Sequence, residues 1–198
     1  MFYYFWKRLK LRNMNRNFII AFLLLGVVTA AGSSAQITHV GPAGHYGTTI
    51  AEFGAGANLF YTINEKIDIV PGLTYFMPHK MDYPNGYIRN TWWEVSMDGH
   101  YIPVENTHFQ AYGLMGLNFT SVEEKSDTTF LGQRFKDRKT SLELGLNIGG
   151  GIQFNMTEKV KPFVQAKYTL GEASQFVFSV GILFRIKEDA ERENPDDF

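Results

Sequence analysis

The chain has 198 residues, 19 Lys+Arg against 20 Asp+Glu, and no Cys. That is one domain of ordinary size. The balanced charge offers no basic field for nucleic acid, and the missing thiol excludes disulfides, zinc–thiolate sites, thiol catalysis and a lipidated N-terminal Cys. Aromatics make up 15% of the residues and there are 19 Gly, a pairing found in crowded β-structures, membrane barrels among them.

Residues 1–17 carry Lys7, Arg8, Lys10, Arg12 and Arg16 with no acid, residues 18–31 are almost wholly apolar, and Ser33-Ser34-Ala35 precedes Gln36. A basic segment, an apolar core and a small-x-small site form a secretory signal. The apolar run falls short of the ~20 residues that span a bilayer. Cleavage is expected after Ala35, with Met14 able to open a compact signal of its own. Residues 36–186 then form the folded domain, and residues 187–198 an acidic tail on the periplasmic side.

From residue 49 the hydrophobic period is two, the mark of strands rather than helices. Residues 49–61 set Ala51, Phe53, Ala55, Ala57, Leu59 and Tyr61 against Glu52, Gly54, Gly56 and Asn58. Residues 67–77, 91–101, 109–119 and 161–170 repeat the scheme less cleanly. In 140–154, Leu142, Leu144, Leu146, Ile148, Ile152 and Phe154 alternate with Ser, Glu, Gly, Asn and Gln, and in 175–186 Phe176, Phe178, Val180, Ile182, Phe184 and Ile186 form one face. Runs of ten or more match the 9–11 residues of a tilted transmembrane strand and exceed the soluble norm of five or six. The apolar face is as greasy as lipid, and the other face lacks the Lys/Glu density of a wetted surface.

The connections fall into two classes. Residues 64–66, 103–107 and 155–159 are short; 78–90 and 120–139 are long and polar. Short turns on the periplasmic side and long loops outside are the barrel arrangement. The segment 49–61 then runs toward the periplasm, so topology demands a preceding upward strand. Residues 36–42 are the candidate, joined by a 43–48 loop, although Gly41-Pro42 suits a long strand poorly. Pro71 cannot donate to a ladder and predicts a bulge in the third strand. The fold expected is all-β: an eight-stranded antiparallel up-and-down transmembrane β-barrel.

Aromatics gather at strand ends. Tyr75, Phe76, Trp92, Trp93, Phe119, Tyr168 and Phe176 fall at one rim, and Phe60, Tyr61, Tyr101, Phe109, Phe154 and Phe184 at the other. Two such girdles suit the two membrane interfaces. Parity places Glu52, Glu94, Glu143 and Lys167 in the upper lumen and Asp68, Asp98 and Arg185 in the lower, with Tyr112, Leu114 and Phe163 as filling. Buried charges are costly unless paired, so Lys167 is expected to meet the upper glutamates, and Arg185 to lie near Asp68 or Asp98.

The signal, the hairpin Leu59-Phe-Tyr-Thr-Ile-Asn-Glu-Lys-Ile-Asp-Ile-Val-Pro-Gly-Leu-Thr-Tyr75, the Gly-rich strand 144–154 and the closing strand Phe176-Val-Phe-Ser-Val-Gly-Ile-Leu-Phe-Arg-Ile186 resemble the small bacterial outer-membrane β-barrels, such as OmpX and the OmpA transmembrane domain. The resemblance covers 36–186. It implies residence in the outer membrane of a Gram-negative envelope, contact with its lipid, and the barrel-assembly machinery as a partner in biogenesis. In the family the assembly signal usually ends the chain at an aromatic, which leaves Phe184 and Phe198 as candidates; Phe184 is favoured, because it alone sits in an alternating context.

Chemistry is sparse. His39, His45, His79, His100 and His108 show no metal-ligand spacing, and His45, His79, Asp82 and Ser126 of the outer loops form no His-x-Ser pairing. Gly54-Ala-Gly56 and Gly149-Gly-Gly151 lie within strands, with no helix after them to make a phosphate site. No cofactor and no catalysis are expected. The reading is a non-catalytic barrel serving surface interaction or envelope integrity through its loops, with an envelope protein as the partner to look for. The alternatives are an accessory subunit of a secretion or transport machine and, third, a lipid-modifying enzyme.

Overall fold

The computed structural model describes residues 36–130 and 133–186; the expected signal segment and acidic tail lie outside the described residues. Eight strands follow one another: β1 (Gln36–Gly47), β2 (Glu52–Asn64), β3 (Ile67–Tyr83), β4 (Gly86–Glu105), β5 (Phe109–Phe130), β6 (Gln133–Phe154), β7 (Val160–Gly171) and β8 (Gln175–Arg185). Each pairs antiparallel with the next, and β8 pairs with β1, so the sheet closes into a barrel without crossovers. The alternation therefore gave the fold correctly.

Register sets the tilt. A circuit of paired residues leaves β1 at Gly47 and passes through Val177, Lys167, Gly149, Leu114, His100, Asp68 and Thr62, returning to β1 at Gln36. The sheet slips by nearly a whole strand in one turn, the stagger that steeply tilted strands require for closure.

The faces are inverted relative to a water-soluble barrel. In β8, Val177, Ser179, Gly181 and Leu183 are buried, and Phe178, Val180, Ile182 and Phe184 are exposed. Met115 and Val180 are 67% and 65% exposed, whereas Asn118 and Asn147 are fully covered. The outward positions are apolar, and the inward ones mix amides with apolar side chains. Inward glycines make room for large neighbours: a Cβ on Gly181 would come 2.5 Å from the Phe163 ring, and one on Gly151 would strike Tyr112.

Three expectations need correction. First, β1 runs on to Gly47, through the supposed 43–48 loop. Pro42 keeps its place opposite Ala57 of β2, while Gly41 and Pro42 have no paired residue in β8, so the missing N–H falls where the ladder is already open. Second, Pro71 makes no bulge. It sits opposite Met97 with the register unbroken on both sides, and the irregularities near β3 come at Thr62/Asn64 and Phe76/His79. Third, the long polar segments are not loops.

Those segments continue the strands. Beyond the Gly54–Phe76 pair β3 loses its β2 neighbour, and beyond Gly145–Gly171 β6 loses β7. The β3–β4, β4–β5 and β5–β6 ladders nevertheless persist to Tyr83–Gly86, Gly86–Thr128 and Phe130–Gln133. One side of the barrel thus rises into a four-stranded sheet with two free edges, residues 77–83 of β3 and 133–144 of β6. The β1–β2 and β7–β8 turns on the other side stay low.

Candidate functional site

Two places gather polar residues: the barrel interior and the projecting sheet. The interior is layered. Toward the projecting end, Ile50, Phe76, Trp92, Ala173 and Val177 form an apolar plug. Further down, Ala43, Phe60, Val70, Phe163 and Leu183 form a second cluster, and Ile102, Tyr112 and Leu114 a third. His100 stacks on Tyr112 at 4.4 Å and meets Phe60 edge-on.

Several polar residues of the interior are tied to one another. Lys167 Nζ lies 3.8 Å from Asp98 Oδ2. Asn147 Nδ2 donates to Asp98 Oδ1 at 2.8 Å and receives Thr169 Oγ1 on its own oxygen at 2.8 Å. Glu94, 1% exposed, accepts from Gln175 Nε2 at 2.7 Å and Asn118 Nδ2 at 3.4 Å. His45 Nδ1 meets Ser179 Oγ at 2.8 Å. Paired and amide-solvated, these groups meet the condition for burial of charge.

The expected charge network is redistributed. Lys167 joins Asp98, not the upper glutamates. Glu94 is held by amides, Glu143 accepts from Ser141 at 3.0 Å, and Glu52 binds His79 Nδ1 at 2.8 Å at the rim. Arg185 and Asp68 both line a vestibule of about 220 Å³ at the end where β1 begins and β8 stops, together with Lys161, Glu105 and Gln153. Sequence reasoning assigned charges to halves by parity and depth, but partners across a barrel depend on shear, which single-strand alternation does not carry. Parity alone sets Asn147 inward, but the partners of the amides Asn118, Asn147 and Gln175 were missed for the same reason.

Of the expected girdle residues, Tyr75 and Trp93 form an outward pair at 4.5 Å, and Tyr168 and Phe176 another at 4.6 Å. Tyr101, Phe154 and Phe184 are exposed on the outer wall, with Phe109 and Phe119 half-covered there. Trp92 is corrected: it is 8% exposed and belongs to the inner plug. Phe60 and Phe76 also point inward, because parity and not nearness to a strand end decides the face. Tyr61, outward by parity, is covered, with Ile37 and Ile69 as its cross-strand partners.

The projecting sheet is held by ion pairs on its outward side. Arg134 grips Asp127 with Nε and Nη2, at 2.7 and 2.5 Å, and so holds that carboxyl below its ordinary range. Lys125 and Arg138 hold Glu123 low in the same way. No cluster of metal-ligating side chains occurs among the described residues.

No protein-family model and no curated protein matches the chain. Solved structures do. The N-terminal β-barrel domain of Pseudomonas aeruginosa OprF aligns at 15% identity over 77% of this chain and 99% of that one, with a TM-score of 0.49. The Yersinia pestis attachment invasion locus protein Ail aligns at 15% over 76% and 96%, TM-score 0.48, and neisserial surface protein A at 13% over 75% and 94%, TM-score 0.42. In fold the chain is similar to these small barrels. Identities this low carry no function, and the barrel stands on its own strand pairing.

Proposed function

We propose that this chain is a non-catalytic outer-membrane β-barrel whose projecting sheet acts in surface interaction. What supports the membrane is the inverted wall: a belt of Leu, Ile, Val and Phe outward, amides and paired charges inward. Water would not tolerate such a belt, and the bilayer requires it. The observation that carries surface interaction is the four-stranded sheet standing clear of the barrel with two free edges, since an unpaired strand edge is a template for an added strand. Enzymatic function fits poorly. The best-placed pair, His45 and Ser179, is 6% and 2% exposed inside the barrel, out of reach of a lipid substrate.

The test compares the intact protein with a variant in which tight turns replace residues 79–90 and 122–141. The trimmed barrel should still reach the outer membrane and resist denaturation, while cells displaying it lose attachment or envelope resistance that the intact protein confers. Loss instead of a stoichiometric envelope complex would favour the accessory-subunit reading. An unchanged phenotype would remove the sheet from the function.

A further inference from the structure

The projecting sheet carries a row of four cations, of which one, Arg89, is not explained by the ion pairs that hold the sheet. Lys80 of β3 pairs with Arg89 of β4, Arg89 with Lys125 of β5, and Lys125 with Arg138 of β6. Four like charges therefore stand directly opposite one another across four strands, at roughly 4.8 Å per step. Like charges in such positions are destabilising. The neighbouring rows relieve part of this: Asp82 reaches Lys80, and Glu123 reaches Lys125 and Arg138. Arg89, exposed in the middle of the row, makes no ion pair among the described residues. Lys80, Lys125 and Arg138 thus each have a partner within the sheet, whereas Arg89, on the inner strand β4, has none to account for it.

The row is also one-sided. The register puts it on the outward face, continuous with the apolar wall, along with Arg134 and Lys136. The face turned over the barrel mouth carries Glu124, Asp137 and Lys139. Arg89 lies four residues beyond Trp93, the outward aromatic of β4. At the usual rise and barrel tilt that is about 10 Å along the axis. This is a few ångströms past the headgroup layer of roughly 5–7 Å that flanks the hydrocarbon, a distance that a long Arg side chain can reach back across.

We propose that the outward row Lys80–Arg89–Lys125–Arg138 is an anion track that takes the phosphate groups of the lipid leaflet beside which the sheet stands. The inference rests on the outer-membrane reading and adds a ligand class to it. Each cation at a lipid surface contributes about a fivefold change in affinity, and binding would relieve the like-charge row.

The experiment uses the folded protein in zwitterionic detergent, to which diphosphorylated lipid A or the same lipid stripped of its phosphates is added, with thermal unfolding and retained lipid by native mass spectrometry as readouts. The wild type should retain the phosphorylated lipid preferentially and melt higher with it. Arg89→Gln should melt no lower than the wild type without lipid, because no ion pair is lost, yet retain about fivefold less phosphorylated lipid. Arg89→Gln/Arg138→Gln should retain less still. Lys139→Gln, the same charge change on the inner face, should behave as wild type. Equal retention of the two lipids, or equal retention by wild type and Arg89→Gln, would overturn the proposal. So would protection by soluble inositol hexakisphosphate with none by the phosphorylated lipid. Failure to insert into any lipid vesicle would remove the membrane reading, and this proposal with it.

Discussion

Along β6, residues 142–154 and residues 133–141 keep one alternation and differ in what the outward position holds. In the barrel the outward side chains are Leu142, Leu144, Leu146, Ile148, Ile152 and Phe154; in the projecting sheet they are Arg134, Lys136, Arg138 and Thr140. The inward side changes too, from buried Asn147 and Gln153 to exposed Phe135, Asp137 and Lys139. The backbone ladder crosses the boundary without a break. Hydrogen bonding makes the strand, and the surroundings of each face choose its side chains. A change of composition therefore marks a change of solvent and not the end of a strand.

Predictions on either side of that boundary should differ in size. The largest effect belongs to the barrel interior. Lys167→Met leaves Asp98, 4% exposed, without its cation, and breaking a buried pair by removing one partner costs about 3–5 kcal/mol. Unfolding in urea from lipid vesicles measures it, and an unchanged midpoint would mean that Asp98 is solvated. With its apolar clusters in place, the wild-type barrel should also pass no steady single-channel current in planar bilayers; regular openings would show a wet lumen.

Next comes a pair of substitutions on one strand and one face. Leu146→Arg puts a charge on the apolar wall at a cost of about 2–4 kcal/mol near mid-bilayer. Thr140→Arg, six residues along β6 and opposite Glu123, should change stability by less than about 0.5 kcal/mol. Equal effects would erase the boundary.

The smallest effect is electrostatic and confined to the projecting sheet. Asp127 and Glu123 have folded-state pKa values below their ordinary 3.8 and 4.5. The stability they contribute is therefore fully present above those values and is lost as pH falls through the lower, folded ones. Amide exchange near the β5–β6 tip, corrected for intrinsic rate, should be flat between pH 7 and 5 and accelerate only below about pH 4, while the barrel stays protected. Acceleration already at pH 6 would assign the tip's stability to other groups.

The barrel was legible because little besides a strand with two unlike faces produces a period of two over ten or more residues, and because Val177, Leu183, Glu94 and Lys167 fall at positions whose face parity decides. Four things were legible only in part or not at all. Strand β1 follows from topology over 36–42 but is cut short there, because it lacks a greasy face: Pro42, Gly44 and Tyr46 are its outward residues in 42–46, and only pairing with β2 carries it on to Gly47. The projecting sheet was hidden because its outward face is charged, and charged stretches between apolar ones read as loops. Cross-lumen partners such as Lys167–Asp98 and Gln175–Glu94 depend on the circuit of register around eight strands. The cation row is invisible for a related reason: Lys80, Arg89, Lys125 and Arg138 are scattered in sequence and become neighbours only through three successive ladders.

The most direct test uses the absence of cysteine in the natural chain. Single Cys residues placed at each position of 134–154 carry a nitroxide label in the protein reconstituted in bilayers, and collision with lipid-soluble oxygen is compared with collision with a water-soluble nickel chelate. Even positions from 144 to 152 should favour oxygen, even positions from 134 to 140 should favour nickel, and odd positions from 145 to 153 should be shielded from both. Nickel access at 144, 146 and 148 equal to that at 136 would mean that the apolar wall faces water, and would contradict the account.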